Sequence, residues 1–145
     1  ISGRVLDSFG AKKPILLGLS FATIGWIALT LLLRSPFLLG FIAGHVFYMI
    51  GIGFSYSNLM TTGMNLLSED EYGDGNTLFN TLQQFSGAVA TAMVATIINL
   101  AQQAQSNFIA ATITGSQISL LFLLALLLAV LIACLVHFRK AATPA

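Results

Sequence analysis

Four stretches of roughly twenty apolar residues, joined by short polar links, leave this chain few ways to fold. A helix needs about 20 apolar residues to cross a hydrocarbon core of about 30 Å. The first stretch runs from about Pro14 to Leu33, with Pro14 suited to a helix start. Arg34-Ser35-Pro36 turns the chain into a second, from about Phe37 to Leu59 and on toward Leu67. The charged loop Ser68 to Gly75 leads to a third, from about Asn76 to Leu100. The polar, uncharged stretch Gln102 to Gln117 precedes the fourth, from about Ile118 to Phe138. The expected fold class is all-α integral membrane, with four transmembrane helices over residues 14–138, a preceding loop 1–13 and a tail 139–145.

Composition excludes the main alternatives. Charged residues make up 8% of the chain, against about 25% in soluble domains, and disorder requires high charge with low hydrophobicity. A formal net charge of +1 supplies no basic stripe for phosphates, so no nucleic-acid partner is expected. The single cysteine, Cys134, rules out a disulfide framework and any multi-cysteine metal site; no cofactor or metal is expected. Nothing after Ile1 has the layout of a signal peptide. The chain therefore reads as a piece of a longer protein cut in a loop, and Ala141 to Ala145 as a natural C-terminus.

Charge placement predicts sidedness. Arg4, Lys12, Lys13, Arg139 and Lys140 fall on one side of the four segments and only Arg34 on the other. The positive-inside rule makes the first side cytoplasmic, with both ends inside and residues Gln102 to Gly115 outside. All five acids (Asp7, Glu69, Asp70, Glu71 and Asp74) lie on the cytoplasmic side as well.

The four segments differ in their faces. The fourth, and most of the first, is apolar all round and suits a lipid environment. On the third, Asn76, Asn80, Gln83, Gln84, Gly87, Ala90 and Thr91 share one face, opposite Leu78, Leu82, Phe85 and Val89. Amides are costly in hydrocarbon, so that face must meet protein or water, and Gly87, Thr91 and Ala95 permit close helix approach. On the second, Gly40, Gly44, Gly51, Ser55 and Asn58 project within about 60° of one another, which reads as packing. Phe41, His45, Met49, Ile52 and Tyr56 form another face, with Tyr48 beside it. His45 is the only ionisable side chain deep within a segment, about 12 Å from its outer end. Two readings stand for it: a functional intramembrane group, or a neutral histidine bonded to a neighbouring helix.

The segment Gly3-Arg4-Val5-Leu6-Asp7-Ser8-Phe9-Gly10-Ala11-Lys12-Lys13 resembles the cytoplasmic loop signature of the major facilitator superfamily, G-x-L-x-D-[RK]-x-G-[RK]-[RK]. Gly3, Asp7, Gly10 and Lys12 match, Val5 is a conservative variant, and Ser8 and Ala11 stand where the pattern carries basic residues. Its glycines permit a tight turn, Asp7 suits the positive end of a helix, and Lys12 and Lys13 anchor the loop inside. The run Gly73-Asp74-Gly75-Asn76-Thr77-Leu78-Phe79-Asn80-Thr81-Leu82-Gln83-Gln84-Phe85-Ser86-Gly87 is similar to the penultimate helix of the 14-helix drug:proton antiporter branch.

The resemblance implies the C-terminal part of a multidrug efflux transporter in the cell membrane. Its partners would be the lipid bilayer, the missing N-terminal helices, a small-molecule substrate and protons. It further implies a gating loop at Gly3, Asp7, Gly10, Lys12 and Lys13, and a central cavity lined by the second helix. Phe41, His45, Tyr48, Met49 and Tyr56 would suit amphipathic or cationic drugs there. Asn80, Gln83, Gln84 and Gly87 would form an interhelical polar face where the two halves meet.

Alternatives are a facilitator porter for another solute (a sugar, organic acid or metabolite) and a non-transport membrane subunit. A small four-helix multidrug exporter would need a membrane-buried glutamate, which no span here contains. No catalytic constellation forms either, because His137 sits at a membrane edge and Glu69 to Asp74 form a loop, so no enzyme activity is expected.

Overall fold

A computed structural model describes residues 12–35 and 37–140. Four long helices occupy nearly all of it: α1 (Lys12–Leu32), α2 (Leu38–Met64), α3 (Tyr72–Ala104) and α4 (Phe108–Lys140), with a 3-10 turn at Glu69–Glu71. Each is long and apolar enough to cross a membrane. Residues 1–11 of the signature loop, Pro36 and the tail 141–145 lie outside the described residues.

Local chemistry explains the breaks. Pro14 falls in the first turn of α1, where its missing N–H costs nothing. After α1, the Ser35 N–H donates to the Leu32 carbonyl (2.9 Å) and the Ser35 hydroxyl accepts from the Phe37 N–H (3.2 Å). The helix α2 ends through tightened bonds, Leu66 N–H to Gly63 and Leu67 N–H to Met64. Between α3 and α4 the chain opens at Gln105, which is extended, and the Asn107 Oδ1 accepts from the Ala110 N–H to start α4.

The polar stretch Gln102 to Gln117 is helical except around residues 105–107, so α3 and α4 both extend beyond their apolar runs. Its hydroxyls cap their own helix, Thr112 donating to the Phe108 carbonyl and Thr114 to the Ala110 carbonyl. Uncharged Thr and Ser therefore extend the helix beyond its apolar run. The same holds for buried Thr23, which bonds to Leu19, and for Asn58, which bonds to Phe54. Among the described residues no buried side-chain nitrogen or oxygen lacks a partner, as an apolar surrounding requires.

The chain divides into two compact units: residues 1–59 with 120–145, and residues 60–119. In the first, α1 and α2 meet backbone to backbone along a seam of small residues. A Cβ at Gly18 would lie 2.6 Å from the Ser55 nitrogen, one at Gly25 would lie 2.5 Å from the Tyr48 nitrogen, and one at Gly51 would strike the Ala22 nitrogen. Gly44, Gly51, Ser55 and Asn58 are all buried, so the glycine face of α2 packs on α1. Across the seam lies a matching row on α1, Gly18, Ala22 and Gly25, buried as well.

In the second unit, the end of α2 meets the start of α3, where Gly63 faces the Phe79 ring and Gly75 faces Leu67. At the other end, Gly115 of α4 lies against the Ile98 backbone of α3, and the Gln102 amide donates to the Thr112 hydroxyl at 2.8 Å.

Candidate functional site

The side chains of the second helix separate into two environments. Tyr48 is half-buried, its ring 4.7 Å from that of Trp26 on α1. Its backbone forms the wall against Gly25, so this residue stands at the α1–α2 seam. One turn back, the His45 ring centre lies 6.4 Å from that of Tyr48, and His45 itself is exposed. Met49 and Tyr56 are exposed on the same helix, about one and three turns beyond His45. Phe41 lies nearer the α1–α2 turn, where it lines a cavity of about 310 Å³ with Leu32, Leu33, Ser35 and Leu38. The structure thus brings His45 and Tyr48 together, leaves Met49 and Tyr56 on an open face, and sets Phe41 apart.

Trp26 is the residue that sequence reasoning passed over. Its indole N–H donates to the Leu120 carbonyl of α4 at 2.9 Å while its ring packs on Tyr48. One side chain therefore ties three helices of the first unit together. The signal was present: a lone tryptophan in an apolar helix carries an N–H that must find an acceptor.

The polar face of α3 is exposed along its length. Asn80 donates to the carbonyl and the side-chain oxygen of Asn76 (2.9 and 3.1 Å), and Thr91 donates to the Gly87 carbonyl. Gln83 and Gln84 are exposed, and a Cβ at Gly87 would meet nothing within 4 Å.

At the start of α3, a cavity of about 560 Å³ is lined by Leu67, Glu71, Asp74, Gly75, Thr77, Leu78 and Thr81. The Glu71 carboxylate accepts from the Ser68 N–H (3.0 Å) and the Ser68 hydroxyl (2.8 Å). These bonds, the backbone one first, hold its carboxyl below the usual carboxylate range.

Of the residues expected to form a gating loop, Lys12 and Lys13 open α1 and are exposed. Gly3, Asp7 and Gly10 lie outside the described residues. Among the described residues no group of His, Cys, Asp and Glu is placed to hold a metal ion.

Four membrane-length helices, glycine-seamed in one unit and with polar side chains open along α3, define a segment of a polytopic membrane protein. The family model described as Major Facilitator Superfamily matches residues 1–91, and the chain belongs to that superfamily. It is similar to the lincomycin resistance protein LmrB of Listeria innocua, 36% identical over 103 residues, which cover 71% of this chain and 22% of that protein. The protein of the same name from Bacillus subtilis is 30% identical over 102 residues, covering 70% of this chain and 21% of that protein. The chain thus spans about a fifth of the length of the curated relatives it matches. No solved structure gives a significant match.

Proposed function

We propose that this chain is the C-terminal segment of a proton-coupled exporter of amphipathic drugs or other toxic compounds. The observation that carries the reading is the similarity to proteins named for lincomycin resistance across about 70% of the chain. In this reading residues 1–13 are a cytoplasmic gating loop acting through Gly3, Asp7, Gly10, Lys12 and Lys13. Residues 14–138 are four spans of the C-terminal half, and 139–145 a cytoplasmic tail.

The protein sits in the cell membrane with both ends of this segment inside. The open face of α2 carrying His45, Met49 and Tyr56 meets substrate, with Tyr48 supporting His45 from behind and Phe41 at the outer rim. Their exposure, with thioether and aromatic surfaces that accommodate varied ligands, supports that role. The Asn80, Gln83, Gln84 and Gly87 face of α3 meets the other half of the transporter, because amides cannot face hydrocarbon cheaply. The only acid within the four helices is Asp74, in the first turn of α3, so the proton-carrying groups are assigned to the rest of the protein.

The test is expression of the full-length transporter in a drug-sensitive host. Lincomycin and a cationic dye should accumulate less, and collapse of the proton gradient should restore accumulation. Unchanged accumulation of every drug tried, with a sugar or organic acid transported instead, would overturn the reading.

A further inference from the structure

We propose that His45 and Tyr48 together bind an uncharged hydroxyl or amide group of the substrate, a role that rests on the transport reading and narrows its substrate class. The other uncharged polar side chains of α1 and α2 are already engaged. Short ones such as Thr23, Thr30 and Asn58 donate to carbonyls of their own helix. The Trp26 N–H is spent on Leu120, and Tyr56 has a partner within the protein. His45 and Tyr48 differ. Their contacts are ring against ring, Tyr48 with Trp26 at 4.7 Å and His45 with Tyr48 at 6.4 Å. Among the described residues, neither the Tyr48 hydroxyl nor a His45 nitrogen forms a hydrogen bond.

Depth gives that pair its meaning. His45 and Tyr48 stand about 12 and 16 Å from the start of the second apolar run, in a hydrocarbon layer of about 30 Å. Lipid at that depth supplies neither donor nor acceptor, so an unbonded phenol and imidazole are costly against it. They suit a face that meets a ligand.

Charge and shape say which ligand. Residues 35–68 contain no Asp, Glu, Lys or Arg, so nothing on α2 pairs with a charged group. A neutral imidazole offers one donor and one acceptor, and a phenol hydroxyl can act as either. A hydroxyl or amide also carries both functions and can therefore meet both rings at once. The Trp26 ring, itself tied to Leu120, restrains the Tyr48 ring, so less ordering cost falls on binding. Met49, one turn beyond His45 and 49% exposed, is placed for the apolar body of an amphiphile.

The experiment measures binding to the purified full-length transporter in detergent by equilibrium dialysis. The probes are chloramphenicol, an uncharged diol amide, and tetraphenylphosphonium, a cation with no hydrogen-bonding group. One hydrogen bond contributes about fivefold to binding. Y48F, which keeps the ring against Trp26, should therefore weaken chloramphenicol about fivefold, as should H45L, and H45L/Y48F by about tenfold or more. H45Q restores a donor and an acceptor and should recover the loss seen in H45L. Tetraphenylphosphonium binding should change less than about twofold in all four variants, with melting temperatures near that of wild type.

An unaffected double variant, or an H45Q loss equal to that of H45L, would overturn the proposal. So would a large fall in melting temperature with equal loss of both probes, since a helix from the rest of the transporter would then cover the pair. Wild type that binds tetraphenylphosphonium but not chloramphenicol would overturn the pair alone. Binding of neither probe would overturn the transport reading with it.

Discussion

Replacing Gly51 by alanine should damage the protein, while the same change two residues further on, at Gly53, should not. A Cβ at Gly51 meets the Ala22 nitrogen, the Gly18 carbonyl oxygen at 2.7 Å and the Ala22 Cα at 2.8 Å. All three are backbone, so no rotamer change relieves the clash and α1 must move away from α2. Overpacking of this kind costs about 3 kcal/mol at the upper end of its usual range, and alanine returns about 1 kcal/mol of helix propensity. A net loss of about 2 kcal/mol follows for Gly51→Ala.

At Gly53 a Cβ meets nothing within 4 Å, so only the propensity gain of about 1 kcal/mol remains. The two variants share a helix and a chemical change, which cancels effects on expression and on the unfolded chain. Thermal unfolding of the full-length transporter in detergent should separate them by several degrees, with Gly51→Ala below wild type. Equal melting temperatures, or a greater loss at Gly53, would refute the close α1–α2 seam.

Three further outcomes are expected, the first from charge placement and the others from the helix contacts. In a Cys134→Ser background, a cysteine replacing Asp70 should resist an impermeant maleimide from outside intact cells and react once the membrane is opened; labelling from outside would reverse the topology. Trp26→Phe keeps the ring against Tyr48 but loses the N–H to Leu120, and should lower stability by about 0.6 kcal/mol, the usual scale for an interhelical bond in a membrane; a calorimetric loss above about 2 kcal/mol would mean the indole does more than bridge α1 to α4. His45→Ala should change drug preference or the pH dependence of transport with little loss of stability, because His45 is exposed; uniformly reduced transport with reduced expression, as Gly44→Leu should give, would make it a packing residue.

Hydropathy alone made the four helices legible, because a bilayer-length apolar run has few other fates. The glycine face of α2 could also be read, since Gly44, Gly51 and Ser55 recur at helical spacing. The matching row on α1 escaped notice. Gly18, Ala22 and Gly25 are small and apolar, so they merge with leucines when a helix is judged by polarity rather than by volume. The helical ends of α3 and α4 escaped for the opposite reason. Threonine and serine score as polar, yet Thr112, Thr114 and Ser119 each bond a carbonyl of their own helix and leave no donor needing water. Tyr48 shows the limit of face-based reasoning about a site. Its position lies between the packing face and the open face, and only the contact with Trp26 assigns it to the seam.

The two sets of small residues in this chain have opposite surroundings, and the difference bears on what α3 is for. Gly51 and Gly87 both sit among small residues at helical spacing, yet one is buried against backbone and the other faces open space. Composition cannot be the cause, since neither position has a side chain to be pushed out. Along α3 the open positions coincide with the amides of Asn80, which donates to Asn76 within its own helix, and of exposed Gln84, and polar amides are costly to place against hydrocarbon. A small-residue stripe beside a row of amides matches another helix, able to approach at Gly87 and to hydrogen-bond at the amides. The relatives carry about four-fifths of their length beyond the matched region, which is ample chain to supply it. Under the proposed function the exposed face of α3 is half of a contact, and a cysteine cross-link from Gly87 to a helix outside this segment is the outcome expected in the full-length protein.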